Sequence, residues 1–164
     1  MRRAHKQPRI EVCRWRKDMQ DTIPTTIDDS YEPSAQEPLV YHLLGLDRYV
    51  DSLVLTEDDY LEYLVNICRS QGNDAIDVVP ALVRKALSDD LAVLGFGLNS
   101  WAFRVLYAGL VKPNARHEDR GVCNVLLPDN PEERSYLEDY VQREAKFEVF
   151  WGDIHQYAGE LREI

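Results

Sequence analysis

The stretch from residue 91 to residue 111 constrains the fold of this chain more than any other. It begins with the apolar run Leu91–Leu94, which ends at Gly95 and Gly97. A short apolar run bounded by glycine is typical of a strand buried on both faces. Apolar residues then recur at helical spacing, at Phe103, Leu106, Leu110 and Val111. A strand, a glycine turn and a helix make half of a βαβ unit.

The turn at Gly95 and Gly97 lies at the predicted carboxyl end of the strand, where open parallel sheets bind their ligands. Free N–H groups at the start of the next helix would suit a phosphate. The turn lacks the third glycine of the dinucleotide fingerprint, however, and glycine also serves purely steric purposes in such turns. The residues alone leave a structural turn and a phosphate cradle both open.

Composition narrows the class of protein. The chain has 164 residues, of which 45% are hydrophobic, which fits one domain with a sizeable core. No apolar run approaches membrane-spanning length and no signal peptide is visible, so we expect a cytoplasmic protein without a membrane partner. The net charge is −10; residues 1–17 contribute +6, from seven Lys or Arg and one Glu, which leaves −16 for the remainder. The strong negative charge of residues 18–164 argues against a nucleic-acid partner.

The three cysteines, Cys13, Cys68 and Cys123, are far apart and form no Cys-x-x-Cys pair. The four histidines show no metal-ligand spacing either. We therefore expect no metal site and no disulfide, and we interpret all three cysteines as small buried hydrophobic residues.

Strands and helices are predicted to alternate along most of the chain. Predicted strands cover residues 9–15, 39–44, 91–94, 122–127 and 147–151, and helices are predicted to begin near residues 56, 80, 101, 130 and 153. Residues 18–38 contain three prolines and are predicted to be an extended loop. The alternation from residue 91 onward favours a parallel sheet with right-handed crossovers.

Two of these helices carry specific expectations. Thr56 and Asp59 form a predicted capping box, followed by an apolar stripe at Tyr60, Leu61, Leu64, Val65 and Cys68. In the last helix, Asp153 is the predicted N-cap with Gln156 at the reciprocal position. Its inward face is predicted to consist of Ile154, Tyr157, Ala158 and Leu161.

Three blocks of the sequence resemble the sirtuin-like domains of prokaryotes, many of which bind or hydrolyse NAD in bacterial anti-phage defence. Residues 94–104 resemble the family signature Leu-Gly-Tyr-Ser-Leu-Asp-Asp-Trp-Asp-Phe-Arg, residues 55–60 match a Leu-Thr-Glu-Asp-Asp-Tyr block, and the tail from residue 147 resembles the closing strand and helix. The resemblance implies NAD or ADP-ribose as the ligand. It implies phosphate and ribose near Gly95, Gly97, Leu98 and Asn99, and adenine near Gly152 and Asp153.

Departures from that family bear on catalysis. Leu44 stands where the family has its catalytic histidine. His42 shares a strand face with Leu44 but is displaced by about 6.6 Å along the strand, whereas a general base must come within about 3 Å of the proton it takes. The glycine-loop serine of the family is replaced by Gly97. We therefore expect no catalytic residue in this chain alone.

The family's first nucleotide-binding strand, its Gly-Ala-Gly turn and its Thr-Thr-Asn segment have no counterpart here. The expected fold is thus α/β: the latter part of a Rossmann-like, sirtuin-like parallel sheet flanked by helices, with the first nucleotide-binding strands missing. Residues 1–37 would form a basic leader, an edge strand and a Pro-rich loop, and residues 38–164 the C-terminal portion of the sirtuin-like domain. The exposed sheet edge would be covered by a second copy, by a separate polypeptide or by the N-terminal segment.

Three functions remain open from the sequence. The chain could be an NAD glycohydrolase, a hydrolase, whose front half comes from a partner. It could instead be a half-domain that binds NAD or ADP-ribose without cleaving it. It could also be a structural or protein-interaction module that has kept the fold alone.

Overall fold

The structure is a computed structural model that describes residues 5–28, 30–69, 78–87, 91–94, 104, 106–111, 121–125, 131–140, 143 and 148–163. The chain divides into two compact units, Met1–Val83 and Arg84–Ile164. None of the described helices is long and apolar enough to cross a membrane.

The first unit contains a two-stranded parallel sheet. Its elements are β1 (Arg9–Val12), α1 (Lys17–Thr22), β2 (Leu39–His42), a 3₁₀ turn (Val50–Ser52) and α2 (Glu57–Arg69), followed by α3 (Ala81–Ala86), which runs into the second unit. Arg9 pairs with Leu39, and Val12 pairs with His42. Both predicted strands are therefore confirmed, and the partner of the first strand is β2.

Helix α1 was not predicted, because residues 18–38 were expected to be extended throughout. The helix is only six residues long and is anchored by Met19, which is fully buried. A single apolar side chain among polar ones produces no helical periodicity, so the sequence pattern could not reveal it. The described residues after Ile23 and before β2 form neither helix nor strand, as predicted.

The core of the first unit includes the segment that follows β1 and helix α2. Trp15 is 1% exposed, and its ring meets that of Tyr63 edge-on, with the centroids 6.1 Å apart. Helix α2 buries Tyr63, Leu64 and Ile67. The predicted stripe was therefore wrong in part, since Leu61, Val65 and Cys68 are exposed. Apolar residues cover about half of the circumference of this helix, a wider arc than the part that is buried, so packing selects the buried face within it.

The cysteines differ in burial. Cys13 is buried as predicted, and its thiol donates to the carbonyl oxygen of Val78 at 3.8 Å. Burial raises the pKa of the Cys13 thiol to about 11, which keeps it protonated and unreactive. Cys68 is exposed, contrary to the prediction, and the side chain of Cys123 lies outside the described part of the structure.

The second unit contains a three-stranded parallel sheet. Its elements are β3 (Leu91–Val93), a π-helical segment α4 (Tyr107–Val111), β4 (Gly121–Val125), α5 (Pro131–Asp139), β5 (Glu148–Trp151) and α6 (Ile154–Glu160). The strand order is β3-β4-β5, and Val93, Cys123 and Val149 lie in one row across the sheet. The predicted alternation and parallel pairing are confirmed. The described strands form a two-stranded parallel sheet in the first unit and this three-stranded one in the second.

Helix α6 differs from its prediction in burial. Its start is as predicted, but none of its residues is buried, and Ile154 and Leu161 are 44% and 54% exposed. A capping motif fixes where a helix begins but does not supply a layer for it to pack against. The predicted inward face of this helix was therefore wrong except at Tyr157, which is half-buried and whose ring centroid lies 5.1 Å from that of Phe150.

Candidate functional site

The candidate site lies at the carboxyl edge of the sheet β3-β4-β5. Because all three strands are parallel, their carboxyl ends meet at this edge, and Gly152 follows β5 directly. Strands β3 and β5 flank β4 and are therefore about 10 Å apart. The structure places two of the six predicted site residues, Gly152 and Asp153, at this edge. The other four, Gly95, Gly97, Leu98 and Asn99, lie outside the described residues.

Asp153 forms the N-cap of α6. Its Oδ1 accepts hydrogen bonds from the N–H groups of His155 at 2.7 Å and Gln156 at 2.9 Å, and its own N–H donates to Oε1 of Gln156 at 2.9 Å. This completes the capping box predicted from the sequence. The hydrogen bond from the Gln156 N–H, more than that from His155, lowers the pKa of the Asp153 carboxyl group. The carboxylate is therefore ionised and holds the start of the helix.

Gly152 is required by the same motif. A Cβ atom at this position would lie 2.5 Å from Oε1 of Gln156 and 2.9 Å from the ring of Phe150. The capping glutamine thus passes over the glycine, where a side chain would displace it. Both described site residues accordingly have a structural role, whether or not a ligand binds beside them.

The structure predicts opposite effects for two glycines near α6. Gly152→Ala is expected to lower the free energy of unfolding by about 1 kcal/mol, because it displaces the Gln156 side chain from the cap. Gly159→Ala is the matched control: a Cβ there meets nothing within 4 Å, and alanine should stabilise the helix by about 0.5–1 kcal/mol. Urea unfolding of both variants measures the difference, and equal stabilities would contradict this account of Gly152.

Two further side chains at this edge were missed by the sequence analysis. Trp151 ends β5 half-buried, and the guanidinium of Arg134, from α5, lies 4.8 Å from the centre of its indole ring. An aromatic face can stack on a nucleobase, and an exposed guanidinium can bind phosphate. No motif or spacing in the sequence indicates this contact, because Arg134 is the fourth residue of α5 and Trp151 ends a different element, β5.

The end of β2 is the other position with a functional expectation. His42 is the last residue of the strand and is half-buried. Leu44, at the place of the family histidine, is 44% exposed. Gly45 turns the chain with φ +92°, and the structure leaves the Leu44 side chain open to solvent. A leucine cannot accept a proton, so this position supplies no general base.

Metal ligation has no observed basis in the part of the chain that is described. No group of three His, Cys, Asp or Glu side chains there is arranged to hold a metal ion.

Comparison with known proteins supports the resemblance in the sequence. A family model described as SIR2-like domain matches residues 1–145, which is most of the chain. The match includes the basic N-terminal segment and ends before β5. No curated protein and no solved structure matched the chain. Domains of this family generally use NAD. The chain therefore belongs to the SIR2-like domain family.

Proposed function

We propose that this chain is the C-terminal part of a SIR2-like domain and binds NAD or ADP-ribose without cleaving NAD on its own. The observation that carries the proposal is the parallel sheet β3-β4-β5. Its carboxyl edge holds Gly152, and in the sequence the glycine turn follows β3 after one further residue. Open parallel sheets bind nucleotides at this edge.

Each part of the ligand has a proposed position. The pyrophosphate would lie against the backbone at Gly95 and Gly97, and the ribose near Leu98 and Asn99. The adenine would lie near Gly152 and Asp153. The Trp151 ring and the Arg134 guanidinium lie beside Gly152 and offer an aromatic surface and a positive charge. Such groups suit an adenine nucleotide in a protein that is otherwise strongly acidic.

The remaining expectations are proposals of the same kind. Residues 1–37 would form a basic leader, an edge strand and a Pro-rich loop. Residues 38–164 would form the sirtuin-like portion of a cytoplasmic bacterial protein. The missing front half would come from a separate polypeptide, or a second copy would cover an open edge of the three-stranded sheet. With a front half that supplies a base, the assembly would be an anti-phage NAD glycohydrolase.

Isothermal titration calorimetry with ADP-ribose and with NAD tests binding directly. We expect saturable heat with both ligands. Gly97→Val should weaken binding at least about tenfold if the backbone must approach the pyrophosphate closely. Gly159→Ala, which meets open space, should bind as the wild type does. If neither ligand produces heat, the proposal is contradicted.

Catalysis is tested by a separate variant. Leu44→His places an imidazole at the exposed position where the family has its histidine. We expect neither the wild type nor this variant to release nicotinamide from NAD, since under this proposal one residue does not replace a front half supplied by a partner. Nicotinamide is measured by chromatography after prolonged incubation. Release by the variant would show that Leu44 is the main defect, and release by the wild type would refute the absence of catalysis.

One observation favours a second candidate, a non-catalytic structural or interaction module. The capping box and the Phe150 ring account for Gly152 and Asp153 without any ligand. The two candidates differ in the titration, because an interaction module predicts no heat with ADP-ribose. It also predicts that the chain sediments as a stable complex rather than as a monomer.

A further inference from the structure

We propose that the segment Thr25–Ile27, here named the edge guard, covers the outer edge of β1 and keeps this strand from pairing with another chain. The inference concerns self-association and is independent of nucleotide binding.

Strand β1 has one edge that β2 does not cover. The N–H groups of Arg9 and Cys13 donate to carbonyl oxygens of Pro38 and His42, at 3.0 and 2.9 Å. Because successive residues of a strand direct their main-chain groups to opposite sides, those of Ile10 and Val12 point away from β2. A row of such groups is a template for a strand from another molecule.

The edge guard meets this row at the carbonyl oxygen of Ile10 and is held there by Thr26. The Thr26 hydroxyl lies 3.0 Å from the carbonyl oxygen of Ile10 and 2.9 Å from Oε2 of Glu11, so its single proton serves both acceptors. The Thr26 N–H donates to the same Glu11 oxygen at 2.6 Å. The Thr25 hydroxyl also donates to it, at 3.2 Å. These bonds place a polar side chain against a main-chain acceptor of the outer edge.

Glu11 makes the attachment strong. Its side chain is only 1% exposed, although it lies in a short strand of a small unit. Burying a carboxylate is costly unless donors surround it, and three of its donor contacts come from the edge guard. Arg9 adds a second attachment, donating to the carbonyl oxygen of Thr26 and to the Asp28 carboxylate, each at 3.1 Å. Opening the edge would thus leave Oε2 of this buried carboxyl group without the donors of the edge guard.

The edge guard covers the strand without extending the sheet. Among the described residues, no main-chain hydrogen bond joins it to β1. A cavity of about 250 Å³ lies beside it, lined by Ile10, Val12, Pro24, Thr26, Leu46 and Tyr49. The edge guard is thus held to β1 by side-chain bonds and lies beside a cavity rather than in the packed core. Loss of those bonds should therefore expose the edge of β1 while the core stays intact.

Thr26→Val tests the proposal, because it removes the hydroxyl and keeps the shape of the side chain. Sedimentation velocity over a range of concentrations is compared with that of the wild type. We expect the variant to associate at least about tenfold more tightly. Thr26→Ser restores the hydroxyl and should restore the wild-type behaviour. Thr22→Ala, which removes an exposed hydroxyl bonded within α1, should leave association unchanged.

A double variant locates the new contact. Ile10 is 47% exposed, so Ile10→Lys is tolerated by the fold and places a charge on the open edge. In the Thr26→Val background it should abolish the added association. If circular dichroism shows Thr26→Val to be unfolded, Thr25→Val takes its place. Thr25 is exposed, and this variant removes only one bond between the edge guard and Glu11, so a smaller increase in association is expected. Unchanged association of the folded threonine variants would overturn the proposal, as would added association that Ile10→Lys does not suppress.

Discussion

Replacing Gly45 with alanine is expected to lower the free energy of unfolding by about 3 kcal/mol or more. Gly45 has φ +92°, a conformation that L-residues with a side chain adopt only at a cost. A Cβ atom would in addition overlap the carbonyl group of Ser52. Since that group is main chain and itself held in the core, it cannot move aside as the end of a flexible side chain would.

Chemical denaturation followed by circular dichroism measures this loss. Gly159→Ala is the matched control, because it makes the same chemical change where no atom lies within 4 Å. The chain after β2 should also become more accessible to protease in Gly45→Ala. A variant as stable as the wild type would show that the turn at Gly45 is not fixed as described.

Trp15→Ala is expected to cost about 3–5 kcal/mol. The indole is 1% exposed, contacts Tyr63 edge-on and donates from Nε1 to the Ser52 carbonyl oxygen at 3.0 Å. Alanine removes the buried ring and leaves that oxygen without its donor. Trp15→Phe keeps most of the buried apolar volume but loses the donor, so its cost should be smaller, about 1–2 kcal/mol.

The Trp15 variants are measured by urea unfolding, with near-ultraviolet circular dichroism as the readout of the packed ring. A loss below about 1 kcal/mol for Trp15→Ala would contradict its place in the core. Because Trp15 and Gly45 both contact the Ser52 carbonyl group, the double variant should be less destabilised than the sum of the two single variants.

The Ser52 contacts hold the chain that follows β2. The Ser52 hydroxyl also accepts from the N–H of Leu46 at 3.1 Å and lies 2.6 Å from the carbonyl oxygen of Tyr49. The Val54 N–H donates to the carbonyl oxygen of Leu44 at 3.2 Å. These hydrogen bonds hold the backbone beside Leu44, the position at which the resemblance places the family's histidine.

Local signals in the sequence predicted the elements well. The capping boxes at Thr56 and Asp153 and the proline that begins α5 depend on neighbours within one turn, and all three are observed. The apolar run Leu91–Leu94 predicted a strand, and its parallel pairing followed from the alternation of strands and helices. Such features need no knowledge of the rest of the molecule.

Burial could not be predicted in the same way, because it depends on what packs against each element. Helix α1 depends on one buried methionine, Met19, and the face of α2 was set by Trp15 rather than by spacing. Glu11 is the clearest case: in an alternating strand a glutamate indicates solvent, yet here it is buried because Thr25 and Thr26 return to bind it. Its donors lie fourteen and fifteen residues away in sequence.

The candidate site was predicted by family resemblance rather than by chemistry. Gly152 and Asp153 lie at the carboxyl edge of β5, and their observed contacts are those of a helix cap. Neither a spacing rule nor a motif pointed to Arg134 over Trp151, since this contact joins a helix to the end of a strand. Their role in binding stays a prediction.

Hydrogen–deuterium exchange with and without ADP-ribose tests the central claim most directly, because it reports where the ligand binds as well as whether it does. We predict slower exchange in two separate peptides, one covering residues 95–99 and one covering residues 152–155, with little change around β1. Protection confined to other parts of the chain, or none at saturating ligand, would contradict a nucleotide site at the carboxyl edge of β3-β4-β5.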